Sequence, residues 1–189
     1  MGIKVKYLDF FFKSIHLGGL RPPYKGLTMC ELGNQRMKYD DKALFLYVRD
    51  KLQRPAMPLT GKEFFSELGF KHTSIDINGK DGALKLDLRE PIPKELFEAF
   101  QVVTNFGTTE HIDKQTPVFS NIYQLLVKGG VVTHIVPAKD GKLKNHGTYQ
   151  YVTNFFDFQK ERYGYIYIMP PIERESVPGC ITVSMRKVK

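Results

Sequence analysis

Asp76, in SIDING, and Asp87, in LDLREPI, each follow an apolar run that reads as a strand, and a carboxylate at a strand end is well placed to meet a ligand. The two oxygens of Asp76 can accept hydrogen bonds from two vicinal hydroxyls of a ribose at once. Asp87 can accept from an exocyclic adenine amine while the backbone amide of Leu88 meets a ring nitrogen. Upstream, CELGNQ closes another apolar run with Glu31 and Gly33, followed by Asn34 and Gln35, whose amides can bond a ligand's amino-acid end. Downstream, VVTNFGTTEHI places Asn105 and Gly107 after a further run. His111 follows Glu110 directly, and His146 stands in KNHGTYQY; both are candidate general bases, with Tyr149 and Tyr151 as candidate lining of an acceptor pocket. Each residue has a plain structural alternative, an acid capping a turn or a histidine packing at a loop. Their order on successive strand ends is what points to an adenosine pocket.

These residues need elements to hold them. GLTMCELG, HTSIDI, GALKLDL, FQVVTNF and GGVVTHIVP read as buried strands, with helical segments near PKELFEAF and TPVFSNIYQLLVK between the later ones. Strands alternating with helices imply a parallel sheet covered on both faces. DDKALFLYVRDKLQR has apolar residues at helical spacing and stops before Pro55. TGKEFFSELG opens on a capping box, Thr60 with Glu63, and closes on Gly69. A short amphipathic helix precedes the proline and glycine cluster around residue 22. Last come a helix at TNFFDFQKERYG and two strands, YIYIMPPI and GCITVSMRKV, whose short connection requires them to run antiparallel.

The chain has 189 residues with 42% hydrophobic content, enough for one well-filled core and too little for two ordinary domains, so residues 1–189 read as one domain with an N-terminal extension over 1–25. No apolar run approaches the roughly 18 residues of a membrane span, and YLDFFFKSI is interrupted by Asp9 and Lys13, which places the protein in the cytoplasm without a membrane partner. Cys30 and Cys180 support neither a disulfide framework nor a cysteine metal site. His16, His72 and His134 lack partners at ligand spacing, so no metal is expected. The formal charge of +8 is spread along the chain, which reads as solvated surface rather than a nucleic-acid footprint and is compatible with an anionic small-molecule substrate.

Taken together, CELGNQ, SIDING, LDLREPI and VVTNFGTTEHI resemble the four cofactor motifs of the class I S-adenosylmethionine-dependent methyltransferases, in order, and the resemblance extends over about residues 26 to 189. LLVKGGVVTHIVP is similar to that family's next helix and strand, and the closing hairpin to its ending. The resemblance implies a Rossmann-like, doubly wound α/β fold: a mostly parallel seven-stranded sheet with a C-terminal antiparallel hairpin in three α/β/α layers. It implies S-adenosylmethionine as cofactor. Glu31, Gly33, Asn34 and Gln35 would shape the methionine end, Asp76 with Ile77 the ribose, Asp87 and Leu88 the adenine, and Asn105, Phe106 and Gly107 the wall beside the methionine portion.

Two departures stand out. The first motif offers only Gly33 where the family usually has two or three glycines, and Asn34 is the non-glycine residue type best able to supply a positive φ there. Glu31 and Asp76 lie 45 residues apart, where a compact βαβ unit has roughly 20, so about 35–59 is an insert, either a lid over the site or a segment packed outside the core. The leading functional reading is methyl transfer to a small-molecule acceptor; a nucleic-acid methyltransferase and a cofactor-binding module without catalysis are the alternatives. The absence of G-x-G-x-x-G argues against a dinucleotide oxidoreductase. The sequence leaves the acceptor and the oligomeric state open.

Overall fold

The computed structural model describes residues 2–38, 42–53, 60–141, 143, 146–173 and 177–189. The chain runs α1 (Val5–Leu17), β1 (Thr28–Leu32), α2 (Lys42–Leu52), α3 (Gly61–Glu67), β2 (Lys71–Ile75), β3 (Phe100–Phe106), α4 (Gln115–Leu125), β4 (Leu126–Pro137), α5 (Thr153–Tyr163), β5 (Tyr165–Glu173) and β6 (Cys180–Lys187). The strands form one sheet in the order β2-β1-β3-β4-β6-β5. The first four are parallel, β6 is antiparallel to β4, and β5 is antiparallel to β6, as the short closing connection requires.

Successive residues along the parallel strands enter two different cores. Met29, Val102, Val131 and Ile135 join one cluster with α1, α2 and α3, through Tyr7, Phe11, Leu44, Val48, Phe64 and Phe65. Their neighbours Cys30, Val103, Val132 and Val136 join the other with α4 and α5, through Val118, Phe119, Ile122 and Phe156. Side chains alternate across a strand, so a sheet buried on both faces needs continuous apolar runs, and the chain has three layers. Phe11 of α1 is fully buried and meets Phe65 and Phe106 edge-on, with ring centroids 5.2 and 6.2 Å apart. Such a ring contributes about 1.5–3 kcal/mol by burial. It also packs directly behind the turn that follows β3.

The sheet has six strands, not seven. GALKLDL makes a single bridge, Ile75 to Leu84, through Asp76 N–H to Leu84 O at 3.0 Å and Leu84 N–H to Ser74 O at 2.8 Å. Gly79, Asp81 and Gly82 all take positive φ just before it, and Asp87 starts a turn just after it by accepting the Arg89 N–H. Too few residues lie between the two turns for a ladder. The helix expected over PKELFEAF is one 3-10 turn, Lys94–Leu96, because Pro91 and Pro93 precede it, Glu98 adopts φ +50 and Phe100 already belongs to β3.

α3 begins as its capping residues require: Thr60 Oγ1 accepts the Glu63 N–H at 3.2 Å, and Gly69 closes the end at φ +101. Of the insert, α2 places Leu44 and Val48 in the core beside α1, while 39–41, 54–59 and therefore Pro55 lie outside the described residues. No helix among the described residues is long and apolar enough to cross a membrane.

Candidate active site

A cavity of about 460 Å³ opens at the carboxyl ends of β1, β2 and β3. Its lining includes Gly33, Asn34, Gln35, Asp76, Ile77, Asp87, Leu88 and Gly107 from the expected set. The volume lies within the range of about 300–1,000 Å³ usual for small-molecule pockets.

Gly33 makes the first turn possible. Its φ is +77, its N–H donates to Ile75 O at 2.7 Å, and a Cβ there would run into Thr108 Oγ1. The positive φ expected of Asn34 is therefore supplied by Gly33 itself, since Gln53, Asp81 and Glu98 are the positive-φ residues other than glycine among those described. Asn34 acts through its backbone instead. Its N–H donates to Asp76 Oδ2 at 2.9 Å, and Asn78 N–H donates to Asp76 Oδ1 at 2.9 Å. Each carboxylate oxygen keeps a lone pair for a ligand hydroxyl.

Asp87 is engaged by a neighbour. Arg89 donates from Nε at 2.9 Å and from Nη2 at 2.6 Å to Oδ2, and this guanidinium holds the Asp87 carboxyl below the usual range. Asn121 of α4 fixes the rest of the loop by donating to Leu88 O at 2.9 Å and Glu90 O at 2.8 Å. Ile77, exposed despite its apolar side chain, and Ile112 give the cavity two apolar walls.

Several expected residues stand behind the cavity rather than on its surface. Glu31 is fully buried under the Gly33 turn, 3.5 Å from His72 Nε2, too long for a strong hydrogen bond, and burial raises its pKa. Gln35 N–H reaches Glu31 Oε2 at 3.4 Å. Asn105 is buried as a brace: Nδ2 donates to Thr109 Oγ1 at 2.8 Å and meets His134 Nδ1 at 3.1 Å, while Oδ1 accepts the Thr109 N–H at 3.2 Å. Phe106 packs against Tyr7 and Phe11. Tyr151 is buried too, its hydroxyl donating to Gln115 Oε1 at 2.6 Å and meeting Thr109 Oγ1 at 2.7 Å, so its ring lines no open pocket. Tyr149 stacks edge-on against Tyr151, with centroids 4.9 Å apart.

His111 and His146, far apart in sequence, come together. Their rings are edge-to-face with centroids 4.9 Å apart, and each Nε2 is 3.8 Å from Oε1 of the buried Glu110. His111 also lines the cavity. Burial pushes the Glu110 carboxyl up to about 7; burial, with a contribution from His146, lowers the pKa of His111.

Sequence reasoning missed Thr108, whose Oγ1 donates to Leu32 O at 2.6 Å and accepts from Gln35 Nε2 at 3.2 Å, joining the β1 and β3 turns. It also missed Ile112, although a lone apolar residue in the polar stretch EHIDK was a usable signal.

Comparison of the sequence with protein-family models and with curated proteins gave no match. Solved structures are similar. A protein of Listeria monocytogenes provisionally designated an S-adenosylmethionine-dependent methyltransferase superposes with a TM-score of 0.61 at 13% identity, over 94% of this chain and 98% of that one. The chain has the methyltransferase fold. The same fold recurs in an S-adenosylmethionine-dependent methyltransferase of Aquifex aeolicus, at TM-score 0.57 and 14% identity over 98% of this chain and 94% of the other. It recurs also in the 1,6-didemethyltoxoflavin N1-methyltransferase of Burkholderia thailandensis, solved with its acceptor and S-adenosylhomocysteine, at TM-score 0.56 and 13% identity over 100% and 92%. In this chain the Leu84 edge is a single bridge, and the turn after β1 carries one glycine, Gly33.

Proposed function

We propose that the protein is an S-adenosylmethionine-dependent methyltransferase that moves a methyl group to a small-molecule acceptor by in-line displacement. The observation that carries this reading is Asp76: a carboxylate at the end of β2, oriented by two backbone amides, with capacity left for two ribose hydroxyls and facing a cavity of suitable size. The methyltransferase fold supports it.

Bound S-adenosylmethionine supplies a methyl group already activated by its sulfonium, so the protein's task is chiefly positioning. Asp76 holds the ribose. Leu88 N–H and the Asp87 carboxylate meet the adenine, between the apolar walls Ile77 and Ile112. Gly33, lacking a Cβ, lets Thr108 close on the turn and so sets the cavity wall formed by Asn34 and Gln35. His111 and His146 stand at the acceptor end, where a proton must be handled if the acceptor is an O–H or N–H group.

Isothermal titration of the purified chain with S-adenosylmethionine and S-adenosylhomocysteine tests the reading. Binding of both near one per chain is expected, followed by methylation in an acceptor panel; folded protein that binds neither would sink it. Binding without turnover on any acceptor would favour the module without catalysis.

A groove lined by Lys4, Lys6, Lys38 and Lys42 between α1 and the start of α2 favours the second reading, a nucleic-acid acceptor. Steeply salt-dependent RNA or DNA binding, lost when these lysines are replaced, is its expected signature.

A further inference from the structure

Glu110 and the two histidines beside it have a property that proton transfer alone does not need: three metal-ligating donors converge. Glu110 Oε1 is 3.8 Å from both imidazole Nε2 atoms, and one ligand atom of each residue lies within 4.8 Å of the others. We propose that Glu110, His111 and His146 form a binding site for one divalent transition-metal ion of the zinc type.

Four observations carry it. First, bonds of about 2.0–2.2 Å from a tetrahedral ion place its N and O donors roughly 3.3–3.6 Å apart, so each 3.8 Å Glu110–imidazole distance needs to close by only a few tenths of an ångström, and a rotation of the exposed His111 ring brings the third donor in. Second, the Glu110 carboxylate is fully buried, and among the described residues neither of its oxygens has a hydrogen-bond partner; His146 Nε2 is likewise unpartnered. Buried polar atoms are normally satisfied, and an uncompensated buried carboxylate is costly, so three orphaned or loosely paired donors aimed at one point ask for a cation. Third, the backbone holds the arrangement without the ion. Glu110 C=O accepts N–H bonds from Thr148 at 2.8 Å and Tyr149 at 2.9 Å, and Gly147, at φ +85, lies so close that a Cβ would sit 2.6 Å from that carbonyl oxygen. This docking is what brings His146 to Glu110. Fourth, two imidazoles and one carboxylate suit zinc and its transition-metal neighbours, whereas magnesium and calcium prefer oxygen-only sets.

Three protein ligands leave a coordination position open, the pattern of a catalytic rather than a structural zinc site. Because His111 also lines the cavity, the ion would lie at its rim and could take an oxygen of the acceptor, a consequence that rests on the methyltransferase reading although the metal site itself does not. An imidazole that ligates through Nε2 is no longer a base at that nitrogen. The proposal therefore makes the two histidines ligands and favours acceptors that present a donor atom to the ion, such as a hydroxyl or carbonyl oxygen. No metal spacing is visible in the sequence because the ligands come from two segments joined only by tertiary contacts.

The test is isothermal titration of the full chain, stripped with a chelator and free of any affinity tag, with zinc chloride and separately with magnesium chloride. One zinc per chain and much weaker magnesium binding are expected, and cobalt(II) should develop the intense visible absorption of a four-coordinate site. Glu110→Gln and His146→Gln should each weaken zinc binding at least about tenfold, while His16→Gln on α1 should not. Wild type that binds zinc no better than Glu110→Gln and His146→Gln overturns the proposal. S-adenosylhomocysteine titrated into every variant separates the claims: variants that bind it are folded, and wild type that binds it but fails to bind zinc sinks the metal site alone. Wild type that binds zinc but not S-adenosylhomocysteine sinks the methyltransferase reading and leaves the metal site standing.

Discussion

Asp76 accepts the backbone N–H of Asn34 at Oδ2, 2.9 Å away, and thereby ties the turn after β1 to the end of β2. One carboxylate thus shapes the turn after β1 and lines the cavity. Asp76→Ala should weaken S-adenosylhomocysteine binding at least tenfold, about 1.4 kcal/mol or more, in isothermal titration. Asp87→Ala should cost less, because Arg89 already occupies part of that carboxylate. Equal losses at the two acids would argue against the assignment.

Gly33→Ala should abolish detectable cofactor binding while the protein stays folded, because the new Cβ meets Thr108 Oγ1 and the φ of +77 disfavours any L side chain. Adding Thr108→Ala removes the clash and leaves the backbone strain, about 1 kcal/mol. Partial recovery of binding in the double variant is the expected result, read by titration; full recovery would mean that the conformation of Gly33 does not matter.

Tyr151→Phe separates a brace from a substrate contact. The lost hydroxyl leaves Gln115 Oε1 without its donor in a buried setting, which should cost about 1–2 kcal/mol and lower Tm by a few degrees. The KM for an acceptor and the affinity for S-adenosylhomocysteine should not change. A raised KM with unchanged Tm would return Tyr151 to the pocket.

His134 governs an acid limb of stability. Burial lowers its pKa to about 3 in the folded protein, against about 6.5 when unfolded, and its immediate neighbours are Asn105, Phe119 and Phe156. Between these values the unfolded chain binds the proton and the folded chain does not. Stability should therefore fall as pH drops below about 6.5, by up to about 1.4 kcal/mol per pH unit from this group, and be fully present above it. Urea unfolding across that range checks it: His134→Phe should flatten the limb.

Helix and strand identity was largely legible in the chain, for local reasons. The Thr60 cap, the continuous apolar runs of β1, β3 and β4 and the short β5–β6 connection each constrain their own backbone. Where local signals failed, a competing turn had consumed the residues, as at Gly79 to Gly82 before Leu84 and at Glu98 before β3. Placement of the site residues was legible only by strand end. Asp76, Asp87 and Gly107 reach the cavity, whereas Glu31, Asn105, Phe106 and Tyr151 lie beneath it, because which residue of a turn faces outward depends on hydrogen bonds to other segments.

The sequence by itself determined the α/β alternation, the antiparallel close and the order of the acids Asp76 and Asp87 that reach one cavity, since periodicity, chain length and side-chain chemistry are properties of short stretches. Only the tertiary structure decided that Thr108 locks Gly33, that Asn34 serves Asp76, and that His146 joins His111 at Glu110. These meetings are set by sheet order and by backbone hydrogen bonds between distant segments, which no local pattern encodes.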